Sequence, residues 1–361
     1  MADCDFIIVG GGIAGVSAAA RLAALGSVLL LEAEGALGTQ ASGRSAAMFL
    51  ENYGNDVVQA LNRASVDHLA NFDQSVLSPR GVMSVARADQ KDAFLAEVAA
   101  FDMEVLPQSE ATKMVPILNP ETVAFAAHSR APCDLDTDLL LQNFARSARA
   151  QGAEMRTGAR VDTITHRRGG GWQIGAGGQR ISCRILINAA GAWADHAAGL
   201  AGVAPLGLQP YRRSMARLPA PGGHDVTDWP MLHSAADDWY AKPDAGKWLV
   251  SPSEADPMAP FDAFADDMVI AQGLDRYSWM VTTPVTRVET TWAGLRTFAP
   301  DNALVIGFDG DANDFFWLAG QGGYGFQTAA AASALAADLI AGRAPALAAD
   351  VVAALDPLRF S

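Results

Sequence analysis

Cysteine is scarce: the 361 residues hold three, Cys4, Cys133 and Cys183. Thiols so few and so scattered make neither a disulfide framework nor a zinc site, and a reducing, cytoplasmic setting is the simplest expectation. Positive charge is short as well. Twenty-six Lys and Arg against forty Asp and Glu leave a net −14, which argues against nucleic acid as a partner. An anionic substrate must then meet a local cluster of arginine. Long apolar runs are missing: the Ala-rich stretch 328–342 is interrupted by Asp338 and reads as a buried helix, so no transmembrane segment is expected. No basic run precedes the first apolar stretch, so no signal peptide is expected. The six histidines (His68, His128, His166, His196, His224, His233) show no paired spacing, which predicts no metal site and no catalytic histidine. There is no internal repeat.

What the chain does have is apolar mass and glycine. Half of the residues are hydrophobic, and the length exceeds what one core usually serves, which predicts two domains or one domain with a large insertion. The apolar run Phe6-Ile7-Ile8-Val9 leads into Gly10, Gly12 and Gly15 on the pattern G-x-G-x-x-G. The first glycine permits a tight turn, the second a close backbone approach to a pyrophosphate, and the third close helix packing. A helix is predicted from Ile13 to Leu25, with Ala14, Ala18 and Ala19 as small packing positions and an N-terminus suited to an anion. A second strand, Val28 to Leu31, ends at Glu32 beside Ala33, seventeen positions past Gly15. A carboxylate there accepts from ribose hydroxyls and repels a 2′-phosphate, so dinucleotide binding is expected and NADP disfavoured.

Along the chain, the small-residue loop through Ser42, Gly43, Arg44, Ser45 and Ala46 is read as entering a helix near Arg44. Close backbone approach to a flat ring or phosphate and an ordinary N-cap are both open readings of it. Helical segments 57–72 and 93–101 flank a strand 81–86, the start of an inserted domain. Asp136 caps a helix 138–151; strand-like 159–164, with Val161, and a hairpin through Gly169 to Trp172 follow. The buried strand 185–193 ends in small residues (Ala189, Gly191) and Trp193, suited to packing near a cofactor. Between 210 and 288, short strands alternate with Pro and Gly turns, as in an antiparallel sheet roofing a pocket. The segment 291–296 precedes apolar strands 303–306 and 315–319, and a glycine run (Gly320, Gly322, Gly323, Gly325) opens the last helix. A helix N-terminus there is placed to stabilise negative charge.

The order of these pieces resembles the glycine oxidase and D-amino acid oxidase family of FAD enzymes over nearly the whole chain. Within it the stretches 43–47, 205–214, 228–232, 240–246, 292–296 and 321–325 are similar to D-arginine dehydrogenase. The resemblance implies an α/β fold in which a Rossmann-like FAD-binding domain (1–50, 130–208 and 288–361) is interleaved with an α+β substrate domain (51–129 and 209–287) built on an antiparallel sheet. It implies oxidative deamination of a D-amino acid by hydride transfer from Cα to flavin N5, with oxygen or a quinone-like carrier taking the electrons. Arg213 and Arg296 would clamp the carboxylate, Tyr53 and Tyr240 would hydrogen-bond it, and Gln327 would lie near the amino end. A bidentate guanidinium fork suits that task, although read from the residues alone the arginines are better taken as salt-bridge partners and the tyrosines as core. The flavin-contacting stretches implied are Gly10, Gly12 to Gly15, Glu32, Ala33, Ser42 to Ala46, Val161, Ala189, Gly191, Trp193, Gly294, Arg296, and Gly322 through Tyr324, Gly325 and Phe326 to Gln327. With no cysteine beyond Cys183, the FAD is expected to be noncovalent.

The sequence departs from D-arginine dehydrogenase where that enzyme holds the substrate guanidinium with a glutamate; here Val82 stands at the position. An unpaired buried guanidinium costs roughly 3–5 kcal/mol, more than a hundredfold in binding. Met48, Leu50, Val82 and Trp239 therefore suggest an apolar side-chain pocket and a preference for D-leucine, D-methionine or D-phenylalanine, unless Glu51 turns inward. The alternative within the class is a secondary amine such as proline, sarcosine or another N-methyl amino acid. An NADH-dependent reductase is the rival outside it, and it is disfavoured because no second G-x-G-x-x-G is present.

Overall fold

A computed structural model describes residues 3–71 and 75–360. The first strand, Cys4–Val9, is parallel to Val28–Leu31 on one side and to Gln179–Asn188 on the other. Phe6 and Ile8 point to one layer and Ile7 and Val9 to the other, and all four are buried. Burial on both faces is what demands the unbroken apolar run, at about 1.5–3 kcal/mol for each large side chain. Glu154–Arg156 extends this sheet at one edge and the antiparallel pair Val161–His166 and Trp172–Ala176 at the other. Phe315–Ala319 joins beside Gln179–Asn188, followed by Val305–Phe308, for eight strands.

Helices Ile13–Leu22, Asp56–Asn71, Thr137–Ala150 and Gly325–Ile340 share one core with the Phe6 and Ile8 face. The first helix ends at Leu22, three residues short of expectation, because the chain turns back toward the second strand through Gly26. Phe72, the expected end of the second helix, lies outside the described residues. Asp136 caps the third as read from sequence, its Oδ1 accepting from Leu139 N–H at 2.8 Å.

The second sheet has nine strands in the order Asp256–Pro257, Gln209–Leu218, Lys247–Ser251, Tyr240–Asp244, Met231–Ser234, Val82–Ala86, Phe125–Ser129 and Glu104–Leu106, with Thr290–Phe298 laid along Gln209–Leu218. That last pairing corrects the expectation that 288–298 belongs with the dinucleotide sheet. Nine consecutive register pairs, from Gln209↔Phe298 to Arg217↔Thr290, tie it to the second sheet instead. A three-stranded ribbon, Met48–Phe49, Cys133–Leu135 and Leu77–Pro79, lies at the crossing points between the two sheets.

Two local expectations fail. Arg44 closes a short 3₁₀ turn, Ala41–Arg44, and Ser45 is extended, so no helix starts there. Conversely Asp267–Trp279 is a helix capped by Asp266, in a stretch read as strands and turns. Gly273 within it allows contact with Pro252, toward which an added Cβ would approach to 2.4 Å.

Candidate active site

The glycine turn is built by contact. Gly10 has φ +110°, and a Cβ on it would sit 2.3 Å from the Ala189 carbonyl oxygen; a Cβ on Gly15 would sit 2.0 Å from that of Gly10. Gly15 and Gly43 are thus packing positions, the latter against the Gly38 carbonyl, and do not line the cavity that follows. The helix opening at Ile13 has no acidic residue in its first turn and no side-chain cap on Gly12. Ile13 N–H donates to Ser42 Oγ at 3.0 Å.

A cavity of about 700 Å³ runs from Glu32 and Ala33 past Gly10, Gly12, Ile13 and Ala14. It continues along Ser42, Arg44, Ser45 and Ala46, with Val161, Ala189, Gly191 and Trp193 on another wall. Gly294, Arg296, Gly322, Gly323, Gly325, Phe326 and Gln327 complete the end nearest Arg213 and Tyr240. Glu32 is preorganised: Oε2 accepts from Gly11 N–H at 2.5 Å and Oε1 from Glu34 N–H at 2.7 Å. Arg44 is committed to protein, donating to Ala263 O at 2.7 Å, Ala293 O at 2.9 Å and Asp262 Oδ1 at 2.5 Å, so it ties the loop across to the second sheet.

Arg213 and Arg296 stand on paired strands. Arg213 is opposite Gly294, and two residues on, alternation returns Arg296 to the same face. Arg213 Nε donates to Glu254 O at 2.7 Å, and its guanidinium lies 5.9 Å from the Tyr240 ring centre. Burial opposes the charge on Arg296, yet Tyr240, Tyr53 and Tyr324 around it outweigh that and raise its pKa. Burial likewise opposes phenolate at Tyr240, but Arg296 and Arg213 prevail and its pKa is lowered. Tyr53 and Tyr324 do not line the cavity; they pack edge to face at 5.2 Å behind Arg296.

Gln327, 3% exposed, accepts at Oε1 from Leu50 N–H at 3.3 Å, while its Nε2 has no partner among the described residues. Thr297, one strand step from Arg296, also has a buried Oγ1 without a partner among the described residues, on the opposite face of the strand. A helix N-terminus with no acidic residue in its first turn, a carboxylate at the end of the second strand and the unpaired Gln327 amide along one elongated cavity fit a flavin dinucleotide.

Of the expected side-chain pocket, Met48, Leu50 and Val82 share an apolar cluster with Tyr240, Met215 and Met231, and of these Met48 and Tyr240 line the cavity. Glu51 is exposed. Trp239 is not in this pocket. One residue from Tyr240 on the same hairpin, it faces the other side of the sheet against Tyr277, ring centres 5.4 Å apart.

Sequence reasoning missed three groups. Asn62, fully buried, donates from Nδ2 to the carbonyls of Leu50, Glu51 and Tyr53 and so holds the Tyr53 loop. Thr297 was signalled only by its place one residue past Arg296. On the Val82 face, His233 donates to Glu97 Oε1 at 2.5 Å and Asp237 Oδ1 at 3.3 Å, and Ser84 Oγ donates to Glu97. Burial disfavours the imidazolium, but Asp237 and Glu97 prevail and carry the His233 pKa up to about 9. Among the described residues no group of three or more His, Cys, Asp or Glu is placed to hold a metal ion, and no helix is long and apolar enough to cross a membrane.

Comparison with known proteins agrees with this architecture. L-proline dehydrogenase from P. horikoshii superposes with a TM-score of 0.83 at 21% identity, over 99% of this chain and 97% of that one. Glycine oxidase from Geobacillus kaustophilus gives 0.83 at 20%, over 99% and 98%. At these identities the likeness is one of fold. A curated relative, FAD-dependent oxidoreductase domain-containing protein 1 of Xenopus laevis, is 25% identical over 184 residues, 45% of this chain; the match spans 36% of that protein's length. The model of the family DAO, FAD dependent oxidoreductase, matches residues 5–339, and the chain belongs to that family, with FAD as its cofactor.

Proposed function

We propose that the protein oxidatively deaminates D-amino acids to 2-oxo acids and ammonia, with FAD held noncovalently, and that it favours apolar side chains. The observation that carries this reading is the pair Arg213 and Arg296 on one sheet face, flanked by Tyr240 and opening on the same cavity as the glycine cradle. FAD, when bound, supplies the two-electron acceptor. The chain's own residues do the rest. Arg213 and Arg296 take the substrate carboxylate through bidentate forks and Tyr240 hydrogen-bonds it, while Tyr53, expected to do the same, stands behind Arg296 and supports its guanidinium; fixing the carboxylate orients Cα. Gln327 offers its unpaired amide near the amino end. Met48 lines the cavity with Leu50 and Val82 in the apolar cluster behind it, which favours an apolar side chain and offers no partner for a substrate guanidinium. The imino acid released is hydrolysed by water. No general base is required when the amine is bound neutral.

Anaerobic mixing of the holoenzyme with a panel of D-amino acids, L-proline and sarcosine tests this, followed by admission of air to ask whether oxygen serves as acceptor. Bleaching of the yellow colour by D-leucine, D-methionine or D-phenylalanine, with kcat/KM above that for D-arginine, is expected. Bleaching by proline or sarcosine alone replaces it with the secondary-amine reading.

A further inference from the structure

We propose that Lys242 is a positioning residue for the cofactor, acting through the backbone of Ala46 and Ala47. Lys242 lies two residues past Tyr240 on the same sheet face and is 4% exposed. Its three donors are all placed: Nζ donates to Asp134 Oδ1 at 2.6 Å, Ala46 O at 3.0 Å and Ala47 O at 3.4 Å. A strand lysine this deeply buried needs a reason beyond charge pairing, because Asp134 already accepts from Arg80 Nε at 2.7 Å through its other oxygen. The reason is in the loop. Ala47 has φ +60°, the left-handed region that a non-glycine residue occupies only when its surroundings impose it. The peptide between Ala46 and Ala47 is held at both ends, its carbonyl by Lys242 and its N–H by Ser45 Oγ at 3.1 Å. The Ala47 carbonyl takes a second donor, Leu135 N–H, at 2.9 Å.

Ser45 and Ala46 line the cavity, whereas Lys242 does not. Lys242 therefore reaches the cofactor by fixing a strained turn. The inference rests on FAD occupying this cavity and is independent of which amine is oxidised.

Replacing Lys242 leaves Arg80 and Asp134 as a neutral pair, so the fold should persist in Lys242→Met, and Lys242→Gln supplies a second, still polar, version. Apoprotein is titrated with FAD, and the visible absorption and fluorescence of the saturated complex are recorded. Both variants should bind FAD at least tenfold more weakly, with a shifted flavin band. Ala47→Gly introduced into Lys242→Met should recover much of the loss, because glycine adopts the left-handed conformation unaided. Binding within twofold of the parent with an unchanged spectrum overturns the proposal, as does a loss that Ala47→Gly leaves untouched, which would mark Lys242 as bulk structural support. A holoenzyme that binds FAD normally yet is bleached by no amine counts against the substrate reading alone.

Discussion

Arg296 is surrounded by three tyrosines that raise its pKa against burial, and a guanidinium so placed awaits an anion. Arg296→Met should lower kcat/KM for the proposed substrate by about 3–4 kcal/mol of transition-state binding, on the order of 10²–10³-fold, while FAD remains bound; steady-state kinetics beside the flavin absorbance separates the two effects. Gly15 makes the opposite kind of prediction. Its missing Cβ would sit 2.0 Å from the Gly10 carbonyl oxygen, so Gly15→Ala must push the first helix off the sheet. A cost of about 1–3 kcal/mol is expected, with loss of colour on purification, read by thermal melting and absorbance. The glycines were legible in sequence because backbone contact excludes a side chain, whereas Arg213 and Arg296 were singled out only by the family resemblance, since an arginine on a strand reads by itself as a salt-bridge partner. Trp239 was misread because one step along a strand reverses the face, and parity is invisible until register is known.

At the level of elements, strand pairing made the site. Arg213 and Arg296 are more than eighty residues apart in sequence, and only the register of Gln209–Leu218 with Thr290–Phe298 puts them on one face. No local periodicity reports such a register, which is why the second of these strands was assigned to the other sheet. The helix Asp267–Trp279 was hidden similarly: Asp266 was an available cap signal, but Gly273 and a weak apolar stripe masked the period. The Val82 face carries a titrating group as well. His233 is held between Glu97 and Asp237, with Ser84 on Glu97, Ser253 on Asp237, and Arg213 and Arg296 acting on Asp237 from the clamp. Its pKa is raised from 6.5 to about 9, so the stability it contributes is complete below about pH 6.5 and is lost as pH rises through 9. Urea unfolding from pH 6 to 10 should show that decline, and His233→Gln should flatten it.

Across the whole molecule, Arg44 bridges the dinucleotide side to the second sheet through two buried carbonyls and Asp262. Arg44→Met should destabilise by about 1.5–3 kcal/mol and speed amide exchange around residues 262–263 and 293, measured by hydrogen exchange. Lowering free FAD should lower the melting temperature with the logarithm of its concentration over Kd, a hundredfold excess over Kd contributing about 2.7 kcal/mol. The division into two sheets was readable from sequence because apolar runs with glycine turns differ in pattern from short strands with Pro and Gly breaks. The crossings between them, at the Met48–Phe49, Leu77–Pro79 and Cys133–Leu135 ribbon, were not, because those strands are too short to carry a pattern.

The first strand, Cys4–Val9, waits for a neighbour at Gln179–Asn188, which in turn waits for Phe315–Ala319. During synthesis, roughly 300 residues must therefore leave the ribosome before that sheet can close, about 15–60 s at ordinary elongation rates. Through that interval an Ile- and Leu-rich edge stands open, which exposes the nascent chain to mispairing until its last strands arrive.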